Sequence, residues 1–423
     1  MQKLLLVLLT ITLLTPVVSQ ATQGDNFIGY GAVSRAMGGT GIAQPMGAES
    51  VLKNPALLTY NKGFSFSFAG TYFVPEVSSN RATYTEKTSA VDRAMIPAIG
   101  LVQAINDKLY FGLGAYGTGG SGVDYRGTDA GDAELGNSGD GLYRLSTILS
   151  MMKFVPTLAY KVNSNLSLGV GVAIMYGALG MSYDRSMQIR CPAGGVVPNC
   201  TTTGDSWGQI GSEGTGTSDD LGYGFDLGVA YQFNNFTFGF NYQSAIEMEY
   251  SKQLTNAAAD FGVSTIITSD ILEQPAEMGL GVSYVLNALT ATFDYKQVKW
   301  SDATGYKEFK WVDQDIFSFG LAYNIGKNDL RFGYSMGDAP VGSKALKSDT
   351  KAINLLNGAG FPATSDSHIT FGLGHDCTKN FSIDLAFVYS PEVETVATYN
   401  NAADTITTKH TEKSATIAAN WQF

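Results

Sequence analysis

Histidines are the side chains most often used for acid–base catalysis and zinc binding, and this sequence has three: His368, His375 and His410. Each lies in or near a different predicted loop or strand end, and His375-Asp376 is typical of a short turn. A serine or zinc hydrolase needs a histidine held by partner side chains. We therefore predict that the protein is not an enzyme and has no metal site and no cofactor.

The charge pattern excludes one class of partner. The formal net charge is −11, whereas a nucleic-acid-binding protein needs a basic footprint. The acidic residues concentrate in predicted loops, where they either form a solvated surface or contact divalent cations bound to surface lipid. They are Asp129, Asp132, Glu134, Asp140, Asp205, Glu213, Asp219 and Asp220.

The three cysteines differ in their surroundings. Cys191 and Cys200 bracket a turn-rich segment, and in an oxidising compartment we expect this pair to close a small loop as a disulfide. Cys377 is left over in a predicted short turn, where we expect an inert free thiol.

Both ends of the chain indicate export to the outer membrane of a Gram-negative bacterium. Lys3 precedes an uncharged apolar run, and a small-x-small site follows, so residues 1–21 are interpreted as a signal peptide. The chain ends in an alternating strand closed by Phe423, as outer-membrane β-barrels do. No later segment has about 20 consecutive apolar residues, so any membrane span must be made of strands.

Strand-like alternation recurs along the mature chain. Residues 236–243 and 381–390 alternate apolar and polar side chains, which places the two sets on opposite faces of a strand. Charged residues are only 15%, against about 25% in soluble proteins. Alternating segments number fourteen: 63–73, 94–105, 109–118, 144–161, 166–182, 222–233, 236–250, 276–286, 289–300, 315–324, 330–336, 368–375, 381–390 and 413–423.

The connections between these segments alternate between short and long. Short turns would face the periplasm and long loops the cell exterior, with both chain ends in the periplasm. A soluble β-sandwich also alternates, but it needs no asymmetry of loop length. We therefore predict an all-β fold, a fourteen-stranded antiparallel transmembrane β-barrel formed by residues 63–423.

Residues 22–62 precede the first strand and are glycine-rich but too apolar for a disordered tail. The placement that we expect is inside the barrel, as an amino-terminal hatch that plugs the lumen. Asn54-Pro55-Ala56 ends this segment as a rigid turn, because proline fixes its own backbone and restricts the residue before it.

With these motifs in order, the sequence resembles the FadL family of outer-membrane transporters for long-chain fatty acids and other hydrophobic compounds. The resemblance rests on Arg35-Ala36-Met37-Gly38-Gly39-Thr40-Gly41 and on residues 48–56, which end in Asn54-Pro55-Ala56. It continues in residues 275–284, 311–315, 330–334 and 338–341, so it spans most of the mature chain.

The resemblance implies a barrel closed by a hatch, with capture of substrate outside the cell and lateral release into the membrane at a kinked third strand. The glycines that could form this gate are Gly117, Gly119, Gly120 and Gly122, and an ordinary glycine-rich turn is the alternative. The family often has Pro-Phe-Gly here, whereas this sequence has Tyr116-Gly117-Thr118.

The two-residue alternation along each strand predicts which side chains line the lumen. The inward charges have both signs and suit pairing across the lumen rather than an ion-selective ring: Lys153, Asp226, Glu277, Asp294, Lys296, Arg331 and Asp384. The uncharged fifth strand presents Ala173 and Met175 to the lumen, as a hydrophobic tunnel requires. Phe73, Val123 and Tyr125 are expected in outer loops, where they form a capture groove or only pack the loops.

The function that we predict is passive uptake of fatty acids or hydrocarbons across the outer membrane. The partners are then hydrophobic small molecules, outer-membrane lipid and lipopolysaccharide, and we expect a monomer. The alternatives are a porin for polar solutes, with residues 22–62 in the periplasm, and an adhesin whose function lies in the loops.

Overall fold

The structure, a computed structural model, describes residues 23–82, 84–127, 141–183, 185–191, 206–212, 216–342, 346–347 and 350–423. Fourteen long antiparallel strands form one sheet, each paired with its neighbours in sequence. They are β1 Phe64–Arg81, β2 Ala94–Ala104, β3 Leu109–Asp124, β4 Ser146–Lys161, β5 Leu166–Ser182, β6 Gly216–Phe233, β7 Phe236–Gln243, β8 Glu277–Leu286, β9 Leu289–Val298, β10 Gln314–Ile325, β11 Asn328–Gly337, β12 Ser367–Asp376, β13 Phe381–Asn401 and β14 Asp404–Gln422.

The sheet closes on itself. Strand β14 pairs with β1 along their length, from Ser65 opposite Gln422 to Arg81 opposite Ile406. Closure pairs the first strand with the last, so that neither is left as an open edge, which a strand-built membrane span requires. The predicted fourteen-stranded antiparallel barrel is thus confirmed.

Alternation assigns the two faces of the wall. In β13, Ala386 is 0% exposed and the next residue, Phe387, is 49% exposed. The exposed outward positions carry many large apolar side chains, whereas small, polar and charged residues are found at the inward positions beside apolar ones. This is the pattern of a barrel with lipid outside.

Tight turns join the strands on one side. Asn234, Asn287 and Gly326 have φ of 52°, 53° and 69°, in two-residue connections. Asparagine and glycine tolerate this left-handed conformation, which matches the twist of a hairpin. The opposite side carries the long connections and faces the cell exterior in barrels of this type.

Several strand ends differ from the sequence prediction. Strand β7 stops at Gln243 rather than at residue 250, because the chain leaves the sheet and makes only isolated bridges, Ile246 with Gln274 and Glu249 with Ile271. Strands β13 and β14 extend well beyond residues 390 and 413 as one hairpin. Pro391 and the charged residues that follow hide this extension from a search for apolar alternation.

The remaining elements are short. They are a strand at Lys87–Thr88, a ribbon of Arg185–Cys191 with Ser206–Ser212, helices α1 Gly31–Ala36, α2 Leu254–Asp260 and α3 Lys351–Leu355, a π turn at Leu356–Gly360 and 3-10 turns at Gly47–Leu52 and Pro55–Tyr60. Within the described residues, none of the helices combines the length and apolarity needed to cross a membrane. The predicted signal peptide and Cys200 lie outside the described residues, and Cys377 is a free, exposed thiol as predicted.

Two buried apolar clusters account for most of the core. The larger cluster joins the outer ends of the strands to the long connections, including α2 and α3. The second cluster joins Ala32, Val51 and Leu58 of the amino-terminal segment to inward wall residues such as Ala98 and Val155. The segment and the barrel wall therefore share one core.

Candidate functional site

Asn54 ties the amino-terminal segment to the barrel wall. Its side-chain amide donates to the carbonyl of Ile42 (2.6 Å) and to those of Val229 on β6 and Phe240 on β7 (both 3.3 Å). Its side-chain oxygen accepts from the backbone amide of Ala56 at 3.0 Å and so caps the turn that begins at Pro55. The predicted rigid turn Asn54-Pro55-Ala56 is thus a wall contact as well.

Glycines on inward-facing wall positions let the segment approach the backbone of the strands. A Cβ at Gly239 on β7 would lie 2.1 Å from the carbonyl oxygen of Ile42, and one at Gly372 on β12 would lie 2.3 Å from the Cβ of Ala36. On β2, a Cβ at Gly100 would meet the carbonyl of Ala48. The wall and the segment fit closely because these side chains are missing.

A buried glutamate holds the start of α1. The Glu49 carboxylate accepts from the amides of Ala32 (2.9 Å) and Val33 (3.0 Å), which have no partner within the helix. Burial raises the pKa of Glu49 to about 7, against the lowering effect of these two hydrogen bonds.

Of the predicted inward charges, Lys153, Lys296 and Arg331 each pair with a carboxylate, whereas Asp294 accepts from the backbone amides of residues 41 and 42. Lys296 lies 3.2 Å from Glu277, and Lys153 lies 3.1 Å from Asp226. The Lys153 pair reaches from β4 to β6 over Gly171 of the strand between them, and a Cβ there would lie 3.6 Å from the Cβ of Asp226. These pairs lie along the wall rather than across the lumen.

Strand β3 leaves its neighbour β2 part-way up the wall. The β2–β3 ladder ends at Ala98 opposite Tyr116, although β2 continues beside β1 as far as Ala94. On its other side β3 stays paired with β4, with a register shift between Gly117 and Gly119. Four residues of β2, 94–97, therefore pair with β1 but not with β3.

The start of the amino-terminal segment takes the place of β2 beside β3. The amide of Gly120 donates to the carbonyl of Asp25 (2.9 Å), and the amide of Phe27 donates to that of Thr118 (3.1 Å). Glycine is required at position 119, where a Cβ would lie 1.7 Å from the carbonyl oxygen of Asp25. The predicted glycines of β3 coincide with this change of partner.

Side-chain hydrogen bonds anchor this amino-terminal peptide, residues 23–27. Gln23 donates to the Ser335 hydroxyl at 2.7 Å and Asn26 to the Glu277 carboxylate at 2.8 Å. The Tyr306 hydroxyl donates to the Asp25 carboxylate. Burial raises the pKa of Asp25 to about 7, although the bond from Tyr306 lowers it.

The five predicted ligand residues are all buried and fall into two groups. Val123, Tyr125, Ala173 and Met175 belong to the larger apolar cluster under the long connections. Phe73 belongs to a separate cluster with Phe27, Ala94 and Ile96, at the stretch where β2 has no ladder with β3. Phe73 and Val123 lie on strands β1 and β3 rather than in loops, because both strands extend further than predicted.

Sequence reasoning missed an aromatic triad in the connection between β9 and β10. The rings of Trp300, Tyr306 and Trp311 are buried, with centroids 4.6 to 5.0 Å apart. Gly24 packs against Trp300, since a Cβ there would lie 2.3 Å from the indole ring. The signal was the concentration of two tryptophans and a tyrosine within residues 300–311.

The comparison with protein families identifies this arrangement. Residues 13–423 match the sequence model of the family described as "Outer membrane protein transport protein (OMPP1/FadL/TodX)". The chain belongs to this family, hereafter the FadL family. It is therefore a transport protein of the outer membrane and not an enzyme.

Characterised members of the FadL family are similar over most of their length. The chain is 23% identical to outer membrane protein P1 of Haemophilus influenzae over 392 residues, covering 81% of this chain and 80% of that protein. It is 25% identical to the long-chain fatty acid transport protein of Escherichia coli K12 over 404 residues, 84% of each.

Solved structures of the FadL family share the fold. The crystal structure of the Pseudomonas putida toluene transporter TodX superposes with a TM-score of 0.67 at 19% identity, covering 93% of this chain and 99% of TodX. A FadL homologue from Pseudomonas aeruginosa gives a TM-score of 0.65 at 16% identity, covering 95% and 100%.

The sequence suggested that the three histidines lie apart from one another, but two of them lie close together in the structure. His368 and His410 meet at Glu412 on the inner wall, whereas His375 is exposed near the end of β12. In the described part of this FadL-family chain, no group of three or more His, Cys, Asp or Glu side chains is arranged to hold a metal ion.

Proposed function

We propose that this protein takes up hydrophobic compounds, long-chain fatty acids or hydrocarbons, by passive diffusion through the outer membrane. Family membership supports transport, and the relatives support the substrate class: one is a long-chain fatty acid transport protein and another a toluene transporter. A passive route suffices, because hydrophobic molecules need only be shielded past the polar surface layer and then leave into lipid.

The observation that carries the proposal is the exchange of partners at β3. Residues 94–97 of β2 lack a ladder with β3, and residues 25–27 occupy that position instead. Release of the amino-terminal peptide would leave this stretch of β3 without a partner on the side that faces β2. The exit is then a lateral opening between these strands, with the β3 glycines Gly117, Gly119, Gly120 and Gly122 as the gate.

The two apolar clusters suggest the order of events. A substrate captured from outside would first enter the larger cluster, next to Val123, Tyr125, Ala173 and Met175. It would then pass Phe73, Phe27 and Ile96, at the stretch where β2 has no ladder with β3. Both sites are apolar, so a hydrophobic ligand loses contact with water throughout.

In this proposal residues 22–62 are the hatch and residues 63–423 the barrel. The hatch keeps the lumen closed to water and ions, because its backbone packs against wall glycines and its side chains, such as Gln23 and Arg35, hydrogen-bond to the wall. The exit delivers substrate to the lipid of the outer membrane, and one chain contains the complete path, as expected for a monomer.

Deletion of residues 24–50 tests the hatch and separates the transporter from a porin. The sheet closes through β1 and β14 without this segment, so we expect a folded barrel with a steady ion conductance in planar bilayers. Uptake of a fatty acid or an aromatic hydrocarbon should fall, while small polar solutes begin to leak. A large conductance of the intact protein would favour the porin.

The deletion variant must first be shown to be folded. Heat-modifiable migration on a denaturing gel reports a closed barrel before any conductance is measured. A folded variant that stays impermeable to ions and transports normally would remove the hatch from the mechanism.

A further inference from the structure

Two buried histidines share one glutamate on the inner wall. His410 Nε2 lies 3.1 Å from Glu412 Oε1, and His368 Nε2 lies 3.7 Å from Glu412 Oε2. All three side chains are at most 2% exposed. They come from strands β12 and β14, and the transport path proposed above does not use them.

The barrel register explains why they meet. Glu412 on β14 lies opposite Ser390 on β13, and β12 pairs with β13 on the other side of that serine. Serine is small, so side chains from the two flanking strands can reach each other over it. His410 lies on the same inner face of β14 as Glu412, two residues away.

A cationic side chain of the hatch helix, Arg35, lies beside this cluster. Arg35 of α1 donates to the Ser414 hydroxyl at 2.6 Å and to the carbonyl of Gly29 at 3.2 Å. Ser414 follows Glu412 on the same face of β14. Burial lowers the pKa of Arg35 to about 10, and the Glu412 carboxylate is the strongest influence that opposes this lowering.

One further polar group is known to face the cluster: the Thr364 hydroxyl, in the connection that precedes β12, lies 3.4 Å from His410 Nδ1. The Tyr30 hydroxyl of the segment interacts electrostatically with Arg35, but it donates to the carbonyl of Thr118 on β3. The cluster therefore joins three parts of the molecule: the hatch helix, the wall and the long connection before β12.

We propose that Glu412 positions the hatch by attracting Arg35, and that His368 and His410 make this positioning sensitive to pH. The inference rests on the proposed function of residues 22–62 as a hatch. Glu412 is a positioning residue, since it acts on the path through Arg35.

The electrostatics give the direction of the effect. With both imidazoles neutral, the Glu412 carboxylate balances the Arg35 guanidinium in a site without water contact. Each added proton places a second positive charge beside Arg35 and draws Glu412 toward an imidazolium. A buried guanidinium that loses its counter-charge is strongly destabilised. Acid therefore weakens the contact between the hatch helix and the wall.

The test is the ion conductance of the full-length protein in planar bilayers at about pH 7.5 and about pH 5.5. We expect the wild-type leak to rise about tenfold in acid, within the usual range for coupled sites. The double variant His368→Gln/His410→Gln should not show this rise. His375→Gln is the matched control, because this histidine is exposed near the end of β12, and it should respond like wild type.

Glu412→Gln provides a second readout. Removal of the carboxylate should give an elevated leak already at about pH 7.5 and a weaker response to acid. Heat-modifiable gel migration verifies that each barrel is closed. Should the double variant fail to fold, His368→Gln and His410→Gln alone should each reduce the acid response.

The result distinguishes this inference from the hatch proposal. A wild-type conductance that does not change with pH, or a double variant that responds like wild type, overturns the inference. The deletion of residues 24–50 should open the pore at both pH values. If it does so while the histidine variants respond to acid like wild type, the hatch proposal is supported and the inferred pH sensitivity is wrong. If the deletion stays closed, the hatch itself is wrong.

Discussion

The backbone amide of Gly120 donates a 2.9 Å hydrogen bond to the carbonyl oxygen of Asp25, so the upper half of β3 pairs with the amino-terminal peptide instead of with β2. A ladder bond within the wall is permanent as long as the barrel is folded. A bond to the amino-terminal peptide would break if that peptide alone were released, which is what the gate proposed above requires.

Gly119→Ala should disturb this pairing while leaving the barrel intact. The added Cβ would lie 1.7 Å from the carbonyl oxygen of Asp25, so the amino-terminal peptide must move away. We expect increased hydrogen exchange of residues 23–27 and a changed uptake rate. Gly70→Ala on β1 is the control, because a Cβ there meets nothing within 4 Å. Equal exchange in the two variants would contradict the assigned pairing.

Docking of the amino-terminal peptide should weaken as pH rises. Burial raises the pKa of Asp25 to about 7, from about 3.9 in an exposed chain. Between these values the docked state binds more protons than the released state, so docking is strongest below about pH 4 and weakens up to about pH 7.

Asp25→Asn removes this dependence because an amide does not ionise. Hydrogen exchange of the Gly120 amide should be equal in variant and wild type in acid, and slower in the variant at pH 8. Comparing the two proteins at each pH cancels the intrinsic dependence of exchange on hydroxide. A constant ratio across the pH range would show that Asp25 ionisation does not control docking.

Leu227→Arg tests the outward face of β6. Leu227 is 40% exposed on the lipid-facing side near the middle of its strand, and an arginine on the lipid face of a barrel costs about 2–4 kcal/mol. The free energy of unfolding in a urea titration from lipid should fall by this amount. Leu227→Met, which stays apolar, should change it little.

Asp226→Asn, one residue earlier, should also be destabilising, for a different reason. Asp226 faces inward and lies 3.1 Å from the buried Lys153, and removing one partner of a buried ion pair costs roughly 3–5 kcal/mol. The contact from Lys153 to the Gln243 side chain at 2.9 Å favours the lower end of that range. In the double variant with Lys153→Met, most of the loss should be recovered; a strictly additive loss would contradict the pairing.

The cysteines give a covalent prediction. Mass spectrometry of the purified protein should find Cys191 joined to Cys200, because the compartment is oxidising and their separation is short. Cys377 is free and exposed, so it should react with an alkylating reagent in the folded protein. Two reactive thiols in the segment 191–200 would contradict the disulfide.

The barrel itself could be predicted from the sequence because its signals are local. The two-residue period of a strand assigns each side chain to lipid or to lumen without knowledge of its neighbours. Lys153, Asp226 and Arg331 all face inward as parity predicts. Strand ends were less accurate: β13 and β14 continue past Pro391 and Lys413, where apolar alternation stops but the backbone ladder does not.

Contacts between distant residues were decided only by the tertiary structure. Local periodicity sets which face a residue occupies, but not which residue of a strand two places away it meets. That depends on the register of every intervening strand and on closure of the sheet. His368 and Glu412 looked unrelated in the sequence, and Tyr306 gave no sign that its hydroxyl reaches Asp25. The sequence therefore determined the barrel, and the packing of the amino-terminal segment inside it determined the site.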